Sequence, residues 1–342
     1  MLPLDVQEAL IAIRGKGPLS ACDAGLIFTY REEEPFRSYL AKAERWLKHA
    51  RRVGDYFKSV QLEGASNTNE SSHALANPAG WGGTTAILSM MMLLSARGRR
   101  SPGEVFIEAG VFKGGAASCL SPVCHEAGIR YIAADTFEGL PWDGNDGVYY
   151  KGQFCGRMEE VKKNLVNNDA YDGVEFAVGL FKDTLPTLRS PVAGIFLDTD
   201  LYESTHSALE SVMEFLRPDS IIFLDGVVPN EFRNDVFTPQ LPESKGAYDA
   251  LNSAGLKYVV KHTYLGSMAY VQISGDEPCS VDLTYRPEFF FPFHNLLLIS
   301  TYGPEFFNPF KKSLQNDNKS LLPYLADGAL FYLLLRSIRP KF

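Results

Sequence analysis

The chain lacks a CxxC pair. Its cysteines, Cys22, Cys119, Cys124, Cys155 and Cys279, are scattered and odd in number, which speaks against a disulfide scaffold. The histidines are equally dispersed, so a zinc cluster has no support. An excess of cations is missing too. Lys+Arg 33 against Asp+Glu 41 gives a net charge of -8, leaving no surplus positive charge to neutralise phosphates, and nucleic acid is not an expected partner. The short basic clusters Arg97-Gly-Arg-Arg100 and Lys162-Lys163 read as solvated faces. The opening Met1-Leu-Pro-Leu-Asp-Val-Gln-Glu8 has no basic segment leading into a long apolar run, so no secretory leader is expected. The wholly apolar run Ala329 to Leu335 is far too short to span a bilayer. Together these absences suggest a reducing, cytoplasmic setting without a membrane partner.

What is present is the composition of a folded protein, 45% hydrophobic and 22% charged. The length allows one large domain, or one of roughly 200 residues with extensions at both ends. The organising stretch is Ala193-Gly-Ile-Phe-Leu-Asp-Thr-Asp-Leu-Tyr-Glu-Ser-Thr205, a helical pattern through Leu216, then Ser220-Ile-Ile-Phe-Leu-Asp225. Two apolar runs each end in aspartate with a helix between them, the pattern of a parallel sheet with acidic groups at its carboxyl edge. Ligands bind at such edges, so Asp198, Asp200 and Asp225 are the first candidates for function. Taken singly, each could instead cap the next helix.

Alternation of this kind begins earlier. Strands are expected at Glu104–Ala109, Arg130–Asp135 and Val174–Val178, with helices at Met158–Asn167 and Thr184–Leu188 between them and the strand at Ala193. Beyond Asp225 a helix from Ser244 to Ser253 precedes Lys257–Lys261 and Met268–Ile273, read as an antiparallel hairpin at the sheet edge. The predicted architecture is α/β and Rossmann-like, a mostly parallel sheet flanked by helices. Residues 1–79 read as a helical extension in which Phe36 to Phe57 carries Tyr39, Leu40, Trp46, Leu47, Val53 and Phe57 at helical spacing. Thr84 to Ala96 reads as a buried helix opening the 80–275 domain. Residues 276–342 form a tail with Glu288-Phe-Phe-Phe-Pro-Phe293 and Pro304-Glu-Phe-Phe-Asn-Pro-Phe310. Aromatic runs this dense need cover, on the domain or between subunits, and a homo-oligomer is the expectation.

The turn Ile107-Glu-Ala-Gly-Val-Phe-Lys-Gly-Gly115 follows a strand, but its spacing matches neither GxGxxG nor a P-loop. Gly110, Gly114 and Gly115 allow close approach of a ligand to backbone, and Glu108 could hold a cationic group. Asp135 ends the next strand, where a carboxylate can grip ribose hydroxyls. The ordered set suits a nucleoside ligand.

Glu108-Ala-Gly-Val-Phe-Lys-Gly-Gly115, Ala134-Asp-Thr-Phe-Glu-Gly-Leu-Pro141, Gly179-Leu-Phe-Lys-Asp-Thr-Leu-Pro186 and Leu197-Asp-Thr-Asp-Leu-Tyr-Glu-Ser-Thr205 resemble, in order and spacing, the macrocin O-methyltransferase family. The resemblance covers roughly residues 80 to 273. It implies a class I methyltransferase fold and S-adenosylmethionine as cofactor, with transfer to a sugar or polyol hydroxyl of a small natural product. It would place Glu108, Gly110, Val111, Gly114, Asp135, Thr136, Phe137 and Asp183 around that cofactor. Asp200 would be the base, and Asp198 with Asp225 would be ligands of Mg²⁺. Residues 142 to 154 would form a lid, with Trp142, Tyr149, Tyr150 and Tyr202 near the acceptor. The sequence departs from the family at Leu224-Asp225-Gly226-Val227, where a second aspartate is expected and glycine stands. That departure leaves open a metal-independent transfer, an amine or carboxylate acceptor, and a catalytically silent cofactor-binding protein. A hydrolase using Asp198, Asp200 and Asp225 would leave the glycine turn idle.

Overall fold

The structure, a computed structural model, describes residues 36–63, 87, 90–91, 94–95, 97–145, 147–227, 231–233, 236–262 and 268–273. The aromatic tail and the first 35 residues lie outside the described residues. The chain divides into two compact units, Lys48–Tyr285 and one made of Met1–Leu47 with Arg286–Phe342. Of the latter only residues 36–47 are described, the opening turns of helix α1 (Phe36–Glu63).

The strands of the larger unit are β1 (Val105–Ala109), β2 (Arg130–Asp135), β3 (Val174–Val178), β4 (Val192–Leu197), β5 (Ile221–Leu224), β6 (Phe232–Arg233), β7 (Val236–Phe237), β8 (Tyr258–His262) and β9 (Ala269–Ile273). Seven of them form one sheet in the order β3-β2-β1-β4-β5-β9-β8. The first five in that order run parallel. β9 is antiparallel to both β5 and β8, which is the expected edge hairpin. Every residue of β1, β4 and β5 is buried, because helices cover both faces of a parallel sheet and leave no side for water. β6 and β7 pair with each other as a two-stranded ribbon that the sequence pattern does not announce.

The remaining helices are α2 (Gly115–Ala127), α3 (Met158–Asn167), α4 (Phe181–Thr184), α5 (Tyr202–Val212) and α6 (Pro242–Ser253). Three differ in extent from expectation, and α5 ends at Val212, with a 3₁₀ turn over Met213–Phe215 before Leu216. The short α4 begins at Phe181 and tightens to 3₁₀ over Leu185–Thr187, since Pro186 has no N–H to continue an α ladder. α6 starts two residues early, at Pro242, where the missing N–H costs nothing because the first turn has no partner for it.

Ile87, Met90, Met91 and Leu94 are helical and fully buried, as the apolar run predicts. Arg97 corrects the reading of a solvated basic cluster, for its guanidinium is buried. It donates to both oxygens of Glu104, at 2.8 and 3.0 Å, and to Asp219. Bidentate pairing is what makes such burial tolerable. From Lys48 onward α1 is fastened to the same unit: His49 meets the Ser118 carbonyl, Arg52 donates to Asp169 and Tyr56 donates to Asn164.

Ladder bonds continue past the strand ends. Gly110 N–H donates to the Ala134 carbonyl, Asp198 N–H to that of Ala109, and Asp225 N–H to that of Leu197. These bonds hold Gly110, Asp135, Asp198 and Asp225 along one carboxyl edge. β1 lies between β2 and β4, so the sheet order reverses direction there, the place where open α/β sheets leave a crevice.

Candidate functional site

The glycine turn after β1 forms one wall of that crevice. Gly110 takes φ +91° and Gly114 takes φ +82°, conformations glycine reaches without a Cβ penalty. Asp135, expected to grip ribose, is hydrogen-bonded to the backbone of the turn and of Phe137. One of its oxygens accepts the N–H groups of Val111 and Phe112 at 2.7 and 3.3 Å, and the other accepts that of Phe137 at 2.8 Å. Burial still raises its pKa, against those hydrogen bonds. Glu108 is buried at the end of β1 and accepts a hydrogen bond from the Tyr131 hydroxyl at 2.8 Å. Burial, followed by the charges of Asp198 and Asp135, holds its pKa well above the usual carboxylate range.

The opposite wall is the Asp198-Thr199-Asp200 turn after β4. Asp198 is half-buried by exposed area, yet its carboxylate is enclosed within the crevice walls. Burial first, and the carboxylates of Asp200 and Asp135 second, raise its pKa strongly. Asp200 has φ +60°, and Phe112, Phe137 and Phe154, on segments around the crevice, are left-handed as well. Non-glycine residues in that region cost on the order of 1–3 kcal/mol each and gather where function demands the geometry.

A group that the sequence pattern does not point to stands beside them. Glu243, in the first turn of α6, is buried, and one carboxylate oxygen accepts the N–H groups of Thr199 at 2.6 Å and Asp200 at 3.3 Å. Burial, then Asp198, Asp200 and Asp225, push its pKa well up. A helix beginning at Ser244 would leave this residue in a loop; the Pro242-Glu243 pair, proline at N1 and an acid in the first turn, is the signal that finds it. Glu231 is buried too and accepts from the N–H groups of Gln240 and Leu241 and the Ser244 hydroxyl, securing the start of α6.

One cleft joins these parts. Its lining includes Glu108, Gly110, Val111, Asp135, Thr136, Trp142, Asp198 and Asp200, and its free space is about 990 Å³ with the open mouth included. The Trp142 indole N–H is buried there without a hydrogen-bond partner among the described residues. The segment expected to be a lid is clasped at its base: Leu140 N–H donates to the Gln153 carbonyl and Gly152 N–H to that of Leu140. Tyr149 and Tyr202 line a second recess with Glu203 and Lys245. The Tyr202 hydroxyl donates to Asp249 at 2.9 Å. Not every expected residue joins the main cleft. Asp183 and Tyr150 are exposed and outside its lining. Asp225, partly buried, is outside it too, as are Gly114 and Phe137.

The family model for macrocin-O-methyltransferase (TylF) matches residues 94–235. Residues 94–235 are a segment of the S-adenosylmethionine-dependent methyltransferase superfamily. The chain is 34% identical over 149 residues to the 8-demethyl-8-(2,3-dimethoxy-alpha-L-rhamnosyl)-tetracenomycin-C 4'-O-methyltransferase of Streptomyces olivaceus, covering 40% of this chain and 57% of that protein. It is 33% identical over 144 residues to the demethyldecarbamoylnovobiocin O-methyltransferase of Streptomyces niveus, covering 37% and 54%. The chain thus spans just over half the length of these relatives. Among solved structures the O-methyltransferase NovP is similar at 25% identity and a TM-score of 0.46, over 56% of this chain and 81% of that one. Among the described residues no helix is long and apolar enough to cross a membrane.

The cleft fits S-adenosylmethionine on the structure's own terms. A glycine turn open to close approach and two buried carboxylates, Glu108 and Asp198, face one cleft, and a cationic ligand would relieve the cost of charging them. Mg²⁺ fits less well. Among the described residues no group of three or more acidic, imidazole or thiol side chains is placed to hold a metal ion. One oxygen of Glu243 is also already engaged by backbone N–H groups.

Proposed function

We propose that the chain is an S-adenosylmethionine-dependent O-methyltransferase acting on a hydroxyl of a small sugar- or polyol-bearing molecule. The observation that carries this reading is the shared cleft: the glycine turn after β1 and the Asp198–Asp200 turn after β4 wall the same space. The two curated relatives, both named as O-methyltransferases, support oxygen as the acceptor atom.

Bound S-adenosylmethionine would supply an electrophilic methyl group on a sulfonium centre. The residues that would hold it are Glu108, the backbone from Gly110 to Gly115 and the Asp135–Thr136 segment. In this reading Asp200 takes the proton that the acceptor hydroxyl loses, because its turn projects into the cleft opposite the glycine turn. Trp142 offers its unused N–H to an oxygen of a bound molecule, and the lid keeps water from the cleft. Tyr149, Tyr202 and Lys245 form the recess beside Asp200 into which the remainder of the acceptor would extend.

Calorimetry with S-adenosylhomocysteine tests the cofactor and should show saturable binding; its absence defeats the reading. Turnover with a panel of glycosides, in EDTA and with added Mg²⁺, then tests the acceptor. Persistence in EDTA is expected, whereas loss restored by Mg²⁺ would make Asp198, Asp225 and Glu243 candidate ligands after all.

A further inference from the structure

We propose that Glu243 is a positioning residue: its carboxylate occupies space that exists only because residue 226 is glycine, and from there it holds the Thr199–Asp200 turn in the shape that presents Asp200 to the cleft. The proposal rests on Asp200 as base for its catalytic consequence, but its structural content stands alone.

The spatial relation is direct. A β-carbon placed on Gly226 would lie 2.6 Å from one oxygen of Glu243 and 3.7 Å from its carboxyl carbon. Real β-carbons do not approach that closely, so any side chain at 226 displaces the carboxylate. Gly226 also has φ +70°, a conformation that side chains rarely adopt. The other oxygen of Glu243 receives the Thr199 N–H at 2.6 Å and the Asp200 N–H at 3.3 Å. One carboxylate therefore satisfies two successive backbone donors in a buried turn, where a donor without an acceptor is costly.

The turn needs such a holder. Asp200 sits at φ +60°, which a non-glycine residue keeps only when its surroundings impose it. The Thr199–Thr205 hydroxyl contact at 2.6 Å and the Leu201 N–H to Thr199 carbonyl bond at 2.7 Å act within the turn and the start of α5. Glu243 comes from a different helix, 44 residues away in sequence, and ties the turn to α6. Its connection is reinforced where Gly246 packs against the Tyr202 carbonyl, close enough that a β-carbon there would meet it at 2.4 Å.

The test separates hydrogen bonding from charge and from folding. Glu243→Gln keeps an oxygen able to accept both N–H groups, while Glu243→Ala removes it and Glu243→Asp draws it back by one methylene. Expected is a fall in kcat of ~10-fold or more for Glu243→Ala and Glu243→Asp, with KM for the cofactor within about twofold, and recovery to within about threefold of the parent in Glu243→Gln. Hydrogen exchange of the segment 197–205 should rise in the alanine variant and return in the glutamine variant. Gly226→Ala should raise the same exchange in the parent but have a smaller effect on top of Glu243→Ala, because the collision partner is gone. Equal loss in the glutamine and alanine variants, unchanged exchange at 197–205 after Glu243→Ala, or strictly additive effects at 226 and 243 would each overturn the proposal. If the parent protein fails to bind S-adenosylhomocysteine, the methyltransferase reading falls, and the exchange measurements still decide the role of Glu243.

Discussion

The carbonyl oxygen of Asp198 lies 1.8 Å from where a β-carbon on Gly110 would stand. β1 and β4 thus bring their carboxyl ends together more closely than any side chain at 110 allows, and that contact forms the floor between the two walls of the cleft. Gly110→Ala should cost on the order of 3 kcal/mol or more, because backbone must move. Gly103, also at positive φ but with nothing within 4 Å of where its β-carbon would stand, supplies the control. Thermal unfolding should show a much larger drop for Gly110→Ala than for Gly103→Ala; equal drops would reduce the effect to backbone conformation alone.

Asp135 and Asp200 should separate binding from chemistry. Asp135 holds the backbone N–H groups of Val111, Phe112 and Phe137, and an asparagine in its place keeps only one acceptor oxygen. Asp135→Asn is expected to weaken S-adenosylhomocysteine binding by ~10-fold or more. Asp200→Asn should leave that affinity in place while turnover falls by ~10²-fold. Calorimetry and initial rates on both variants check the split, and unchanged turnover in Asp200→Asn would remove it as the base.

Glu108 gives a pH signature. Its pKa is raised in the folded protein, chiefly by burial. Below the ordinary carboxylate value, about 4.3, both folded and unfolded chains carry the proton and the group contributes no pH dependence. As pH climbs from there through the raised value the folded chain binds more protons than the unfolded one, so stability declines. Glu108→Gln keeps an acceptor for Tyr131 and removes that decline. Its melting temperature should exceed the parent's at neutral pH, by on the order of 2–4 °C, with the gain vanishing toward about pH 4. A gain that is constant with pH would contradict the assignment.

Arg97 and Glu104 are both fully buried at the opposite end of the sheet, paired through two hydrogen bonds. Arg97→Ala leaves a buried carboxylate without its partner and should destabilise by about 3–5 kcal/mol. The paired replacement Arg97→Met with Glu104→Leu should cost much less. Denaturant melts of the three proteins would show whether the pair acts as a unit.

Much of the fold is legible because the signals are local. Apolar runs bounded by aspartate mark β2, β4 and β5, and each lies within about two residues of its expected place. The edge hairpin follows from two short alternating runs near the end of the domain. The same reasoning misjudges Arg97, since three arginines within four positions look like a solvated face and nothing nearby in sequence announces Asp219, 122 residues on. It places the start of α6 at Ser244, two residues late, since Pro242 is the first helical residue.

The sequence by itself determined the alternation of strand and helix, the glycine turn, and the carboxylates at strand ends, because periodicity and turn chemistry act over a few residues. Only the tertiary structure decided what those carboxylates do. Asp135 accepts hydrogen bonds from the glycine turn, and Glu243, which stands at no strand end, fills the room beside Gly226. Both outcomes depend on hydrogen bonds between segments 23 to 44 residues apart, and such pairings are set by how the helices and strands pack, not by the local pattern that forms them.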